Sequence, residues 1–177
     1  MADCVNALKE WTGKAKATVV FDSTVDEFTE DGLFDKVQGK RDIAFVGFTT
    51  DGDVFGGFYS RAVTKKGIGL CDAGIFVFSF ESHGRCETPQ RFFPKEELKD
   101  YAYVEIEKNK SYGFLMFGVV CASVGFNLGN ERSNSWCWNM SRAFDGLEDT
   151  TLTGKNNTNC LYPPYHHCTR LVAVQLE

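Results

Sequence analysis

Two apolar runs, Ile43-Ala-Phe-Val-Gly-Phe48 and Val54-Phe-Gly-Gly-Phe-Tyr59, flank Thr49-Thr-Asp51-Gly52-Asp53, and this stretch constrains the fold more than any other. Asp-Gly between two such runs is the strongest short-range hairpin signal, because the turn needs a positive φ that glycine adopts without a Cβ clash. Asp51 and Gly52 are assigned to the turn. Gly56 and Gly57 fall inside the second strand, where adjacent glycines suit a bulge or a close approach of another layer.

Strand patterns recur along the chain. Ala17 to Phe21 reads as a strand ended by Asp22-Ser23, whose side chains hydrogen-bond their own backbone. Ile75 to Phe80 places Phe76, Phe78 and Phe80 on one face, a core-facing aromatic row, and Tyr101 to Glu107 alternates with Ala102, Val104 and Ile106 inward. Tyr112 to Phe117 and Val119 to Phe126 are apolar on both faces and belong at the centre of a sheet. The polar region from Gly129 to Tyr165 predicts further strands joined by long loops, and Leu171 to Leu176 is the last strand.

Helical signals are few. Residues 4–12 form a helix with Cys4, Leu8 and Trp11 on one face and Thr12-Gly13 as its stop. Thr29 starts a second, with Glu30 and Asp31 at its dipole-favoured end, Leu33, Phe34 and Val37 as its apolar face and Gly39 as its close. Pro94 to Leu98 reads as one helical turn with proline first. Many strands without regular β-α alternation predict a mainly β (α+β) fold, a two-sheet antiparallel β-sandwich with peripheral helices. A chain of 177 residues is long enough to bury roughly 70% of its unfolded surface and too short for two ordinary domains, so residues 1–177 form one domain.

The formal net charge of -5 opposes binding to nucleic acid or anionic membranes, and Lys14, Lys16, Lys36, Lys40 and Arg41 read as solvated neighbours of the early strands. Met1-Ala-Asp-Cys4 opens neither a cationic leader nor a long apolar stretch, which predicts a cytoplasmic protein with no membrane span. Seven unpaired-looking cysteines fit free thiols in a reducing compartment.

At Asp51-Gly-Asp-Val-Phe-Gly-Gly-Phe58 the chain resembles the TLDc family, whose hairpin also runs from an apolar strand through a D-x-x-G-like turn into a V-F-G-x-F strand. Phe21-Asp-Ser23 with the following helix, Ile75-Phe-Val-Phe-Ser-Phe80 and Leu171 to Glu177 resemble that family's opening segment, aromatic strand and closing strand, in the same order, over residues 17–177. The later half departs from the family pattern: only Gly125 to Gly129, Ser135-Trp-Cys-Trp138 and Leu152-Thr-Gly154 stand where it has a glycine-rich stretch and a cysteine-bearing motif. The resemblance implies a two-sheet sandwich, a role in resistance to oxidative stress and, as in several members, a protein partner in the vacuolar proton pump. It implies no catalytic mechanism.

Chemical candidates are sparse. Cys86 lies in Ser82-His-Gly-Arg-Cys86, where His83 and Arg85 could lower a thiol pKa, so it is the redox candidate, with Cys137 as its alternative in a thiol-based sensor or enzyme. Cys160, His166, His167 and Cys168 hold zinc-type ligands but lack two close pairs, and Asp51 with Asp53 offers too few oxygens for calcium; no metal and no cofactor is expected. Trp136 and Trp138, two apart, share one strand face and are the interaction candidates. The reading is a non-catalytic interaction module, not an enzyme; besides the thiol alternative, a stress-responsive nucleic-acid regulator stands against the acidic charge.

Overall fold

The chain folds as its turn chemistry dictates at the hairpin. In the computed structural model, which describes residues 2–107, 113–120, 124–130, 135–154 and 165–177, strand β2 (Ile43–Thr49) pairs antiparallel with β3 (Val54–Tyr59) from Ile43↔Tyr59 to Phe48↔Val54. Gly52 sits at φ +88°, and Asp53 and Thr49 exchange bonds that close the turn. Before the hairpin come α1 (Ala2–Thr12), β1 (Ala17–Asp22) and α2 (Glu30–Val37). The Thr29 hydroxyl accepts from the Gly32 amide at 3.1 Å and so caps α2, and Gly39 follows at φ +74°.

After the hairpin come β4 (Leu70–Cys71), β5 (Phe76–Glu81), β6 (Gln90–Phe92), a 3-10 helix (Glu96–Tyr101), β7 (Ala102–Ile106), β8 (Leu115–Val119), β9 (Val124–Leu128), β10 (Ser135–Trp138), a second 3-10 helix (Met140–Arg142), β11 (Tyr165–His166) and β12 (Cys168–Leu176). They form two antiparallel sheets, the first in the order β1-β12-β2-β3-β5-β6 and the second β11-β10-β9-β8-β7-β4. The closing strand β12 lies inside its sheet, between β1 and β2. Among the described residues no helix is long and apolar enough to cross a membrane.

Rings from the two layers interlock in the core. Phe45 of the first sheet meets Phe117 of the second edge to face at 5.8 Å, Phe55 meets Phe126 at 5.3 Å, and all four are fully buried. The adjacent glycines of β3 serve close packing rather than a bulge. Their register with β2 is unbroken, the irregularity lies at Val54/Phe55 against β5, and a Cβ on Gly57 would stand 2.5 Å from the Phe117 ring.

Three expectations are corrected. The strand expected over Val119 to Phe126 belongs to two, β8 ending at Val119 and β9 beginning at Val124, and these two residues pair with each other. Phe76, Phe78 and Phe80 do share a face, but it is the outer face of the first sheet, where α1 covers them. Trp11 stacks on Phe80 with centroids 5.6 Å apart and planes 7° from parallel, and Leu8 is fully buried beside Val46, Val172 and Val174. Val77, between them, faces the sandwich core instead. The turn near Pro94 begins at Glu96 as a 3-10 helix, because Pro94 bridges to Phe144. The segments 108–112, 121–123, 131–134 and 155–164 lie outside the described residues, and with them Cys121, Cys160 and the end of the strand expected from Tyr112.

Candidate functional site

The outer face of the second sheet follows from strand alternation. Val104, Phe117, Phe126 and Cys137 point into the core, so their neighbours point out: Tyr103 and Glu105, Met116 and Gly118, Gly125 and Asn127, Trp136 and Trp138. Register sets Cys71, Tyr103, Gly118, Gly125 and Trp138 in one row across five strands. A second row runs through Glu105, Met116 and Asn127, and Trp136 pairs with Tyr165, which is 40% exposed.

Polar contacts fix this face. The Asn127 carboxamide oxygen accepts from the Trp136 amide at 2.7 Å, and the Tyr103 hydroxyl donates to the Met116 sulfur at 3.3 Å. The Tyr103 ring lies over Gly118, where a Cβ would stand 3.1 Å from it, and burial pushes its phenol up to about 12. The Nε1–H of Trp138 is shielded from water and meets no acceptor among the described residues. The main helix contacts fall on the first sheet, α1 against β12 and α2 against β1. One outer face of the sandwich is thus covered by α1, and the other carries half-buried Tyr103, Met116, Trp136 and Trp138 and exposed Tyr165.

The other candidates gather at the hairpin tip. Asp53 is fully buried and pairs with the Arg85 guanidinium, whose Nε donates to the Thr151 carbonyl at 3.1 Å; sequence reasoning missed this pair. His83 Nε2 lies 2.7 Å from the Asp51 carbonyl oxygen and 3.8 Å from Asp53. The two groups expected to activate Cys86 are thus turned onto the hairpin. Cys86 is half-buried and lines a cleft of about 260 Å³ with Arg85, Gln90, Phe92, Glu148 and Thr151. Cys137 is buried in the core, which pushes its thiol far above the ordinary value, with the nearby Asp149 charge adding to the shift.

The zinc-type residues diverge. His166 is buried with its ring edge to face against Phe55 at 5.4 Å, His167 is exposed, and the Cys168 thiol is buried, pushed up to about 12 and donates to the Arg170 carbonyl at 3.2 Å. Among the described residues no three His, Cys, Asp or Glu side chains come together as a metal site. Of the basic residues near the early strands, Lys14 pairs with Asp42, Lys16 with Glu177 and Lys36 with Asp26. In the comparisons with known proteins, no family model matches the chain and no curated protein does.

Proposed function

We propose that this protein is a non-catalytic, TLDc-like interaction module that docks a protein partner on the outer face of its second sheet, around Trp136 and Trp138. One observation carries the reading: of the sandwich's two outer faces, one lies under α1 and the other carries two half-buried tryptophans together with half-buried Tyr103 and exposed Tyr165. Tryptophan and tyrosine anchor interfaces because they bring large apolar area with few torsions to freeze and keep a polar tip for bonding. The ordered resemblance of the hairpin, the aromatic strand and the closing strand to TLDc proteins supports the module class and names the partner to try first, the soluble subunits of the vacuolar proton pump, in an oxidative-stress setting.

The test is binding of the purified folded chain to those subunits, measured for the parent, Trp136→Ala, Trp138→Ala and Phe93→Ala, an exposed aromatic of the β6 edge. The reading expects each tryptophan variant to bind at least tenfold more weakly while Phe93→Ala binds like the parent, as hot-spot truncation implies. No binding by the parent refutes the partner, and equal binding by all four refutes the surface.

A thiol-based reading keeps one supporting observation, the placement of half-buried Cys86 on the wall of a cleft beside Arg85. It expects one cysteine to react far faster than the rest in a neutral-pH thiol titration, and uniformly slow reaction removes it.

A further inference from the structure

Among the described residues, Lys14, Lys16, Lys36, Lys66, Arg85, Lys99 and Arg170 are paired with carboxylates, and Arg41 and Arg61 are not. The bond from the Asp42 amide to the Ser60 carbonyl, just past the paired Ile43 and Tyr59, ties together the two segments that carry Arg41 and Arg61. Both arginines line one cleft of about 380 Å³ at the end of the sandwich, together with Tyr59, Thr64 and Cys71.

The cleft is built for an anion. The Arg61 Nη1 donates to the Cys71 carbonyl at 2.9 Å, which holds the guanidinium in place with its other N–H groups free to donate. Asp72, next in the chain to the cleft residue Cys71, is buried, and its oxygens accept from the Ser60 amide and hydroxyl, both at 2.7 Å, and from the Gly74 amide at 2.9 Å, and among the described ion pairs it joins neither arginine. Tyr59 is buried, and burial with the Asp72 charge pushes its phenol up to about 12, so the hydroxyl keeps its proton. A monoanionic carboxylate balances one guanidinium; a dianionic phosphoryl group balances both and matches their forked donors.

We propose that this cleft binds a dianionic phosphoryl group, with Arg41 and Arg61 donating to its oxygens. The cleft volume falls within the range of small-molecule sites, which leaves room for a small carrier of the phosphoryl group. The site is distinct from the aromatic face of the second sheet.

The test is calorimetric titration at low ionic strength with inorganic phosphate and with AMP, for the parent, Arg41→Ala, Arg61→Ala and the control Arg91→Ala. The expected result is saturable binding, weakened about tenfold or more by either cleft substitution and unchanged in Arg91→Ala, since an ionic hydrogen bond is worth at least that factor. AMP binding more tightly assigns the site to a carried phosphoryl group, and equal binding assigns it to the free ion; both support it. Arg41→Ala should also lose the thermal stabilisation by phosphate that the parent displays. Absence of saturable binding up to about 10 mM, well above the ~1 mM that corresponds to a weak site, overturns the proposal. Undiminished affinity in Arg41→Ala does the same.

Discussion

Gly57→Ala is the sharpest probe of how the two layers fit. The added methyl would stand 2.5 Å from Cδ1 and Cε1 of Phe117, whereas carbon atoms pack at about 3.5–4.0 Å, so a ring or a strand must move by about 1 Å. Phe117 has little room to retreat. It is fully buried, lies edge to face with Phe45 at 5.8 Å and is stacked on Phe126 at 5.4 Å. Overpacking of this kind costs about 1–3 kcal/mol, and the interlocked rings place this case in the upper half, about 2–3 kcal/mol. For a chain of this size that lowers Tm by roughly 4–12 °C. Equilibrium urea unfolding followed by circular dichroism should show a lower midpoint at unchanged m. Phe117→Leu alone should cost about 1–2 kcal/mol, but it shortens the side chain that the new methyl strikes, so the double variant should lose at least 1 kcal/mol less than the sum. A Gly57→Ala protein within about 0.5 kcal/mol of the parent, or strict additivity with Phe117→Leu, would refute the packing argument. Gly56→Ala should be harsher still, because its methyl would meet the Phe45 carbonyl oxygen, backbone that cannot rotate away, at 1.8 Å.

Arg85→Leu leaves the Asp53 carboxylate buried and unpaired and should cost about 3 kcal/mol in urea unfolding, with a clearly smaller loss in the Arg85→Leu/Asp53→Asn double variant. The bond from Arg170 holds the Asp22 carboxyl down to about 2, so this pair contributes stability that is present above the ordinary carboxylate pKa and is lost as pH falls from about 4 to 2. Partial exposure limits the contribution to about 1 kcal/mol, and Arg170→Leu should remove that part of the acid limb of the stability curve. Tyr59 and Tyr103 carry raised phenol pKa values, so their contribution is complete below pH 10 and is lost as pH rises through about 12; the tyrosinate absorbance of the folded chain should rise in two stages, with these rings in the later one. Trp11→Ala should cost about 2–3 kcal/mol and speed amide exchange in α1 while leaving Trp136-dependent binding intact, and unchanged exchange in α1 would contradict the packing of that helix on the aromatic row.

What the sequence made legible was local. The Asp51-Gly52 hairpin, the Thr29 cap and the helix carrying Leu8 and Trp11 are each written within a dozen residues, and the structure has each in place. The closing strand was recognisable as a strand, but its seat between β1 and β2 depends on pairings across most of the chain. Alternation put Phe76, Phe78 and Phe80 on one face without saying which layer they meet; Val77 is as apolar as they are, and only the docking of α1 resolves the two sides. The edge strands β4 and β6, of two and three residues, are too short to carry a period.

The candidate sites divide in the same way. That Trp136 and Trp138 share a face is a property of spacing, whereas that this face points outward depends on Cys137 being buried against the core. The Asp53–Arg85 pair joins residues 32 apart, and Arg41 and Arg61 come to one cleft wall only through the pairing of the hairpin strands that precede and follow them. The motif around Cys86 displays the right residue types, but position decides their chemistry: His83 and Arg85 turn onto the hairpin tip.

The proposed division between a covered and a partner-binding outer face is tested most directly by fluorine NMR on chain labelled with 5-fluorotryptophan, whose three tryptophans are Trp11, Trp136 and Trp138. On titration with the soluble subunits of the vacuolar proton pump, the resonances of Trp136 and Trp138 should shift or broaden while that of Trp11, packed on Phe80, holds its position. A complex that moves Trp11 and leaves the other two unchanged would contradict the account.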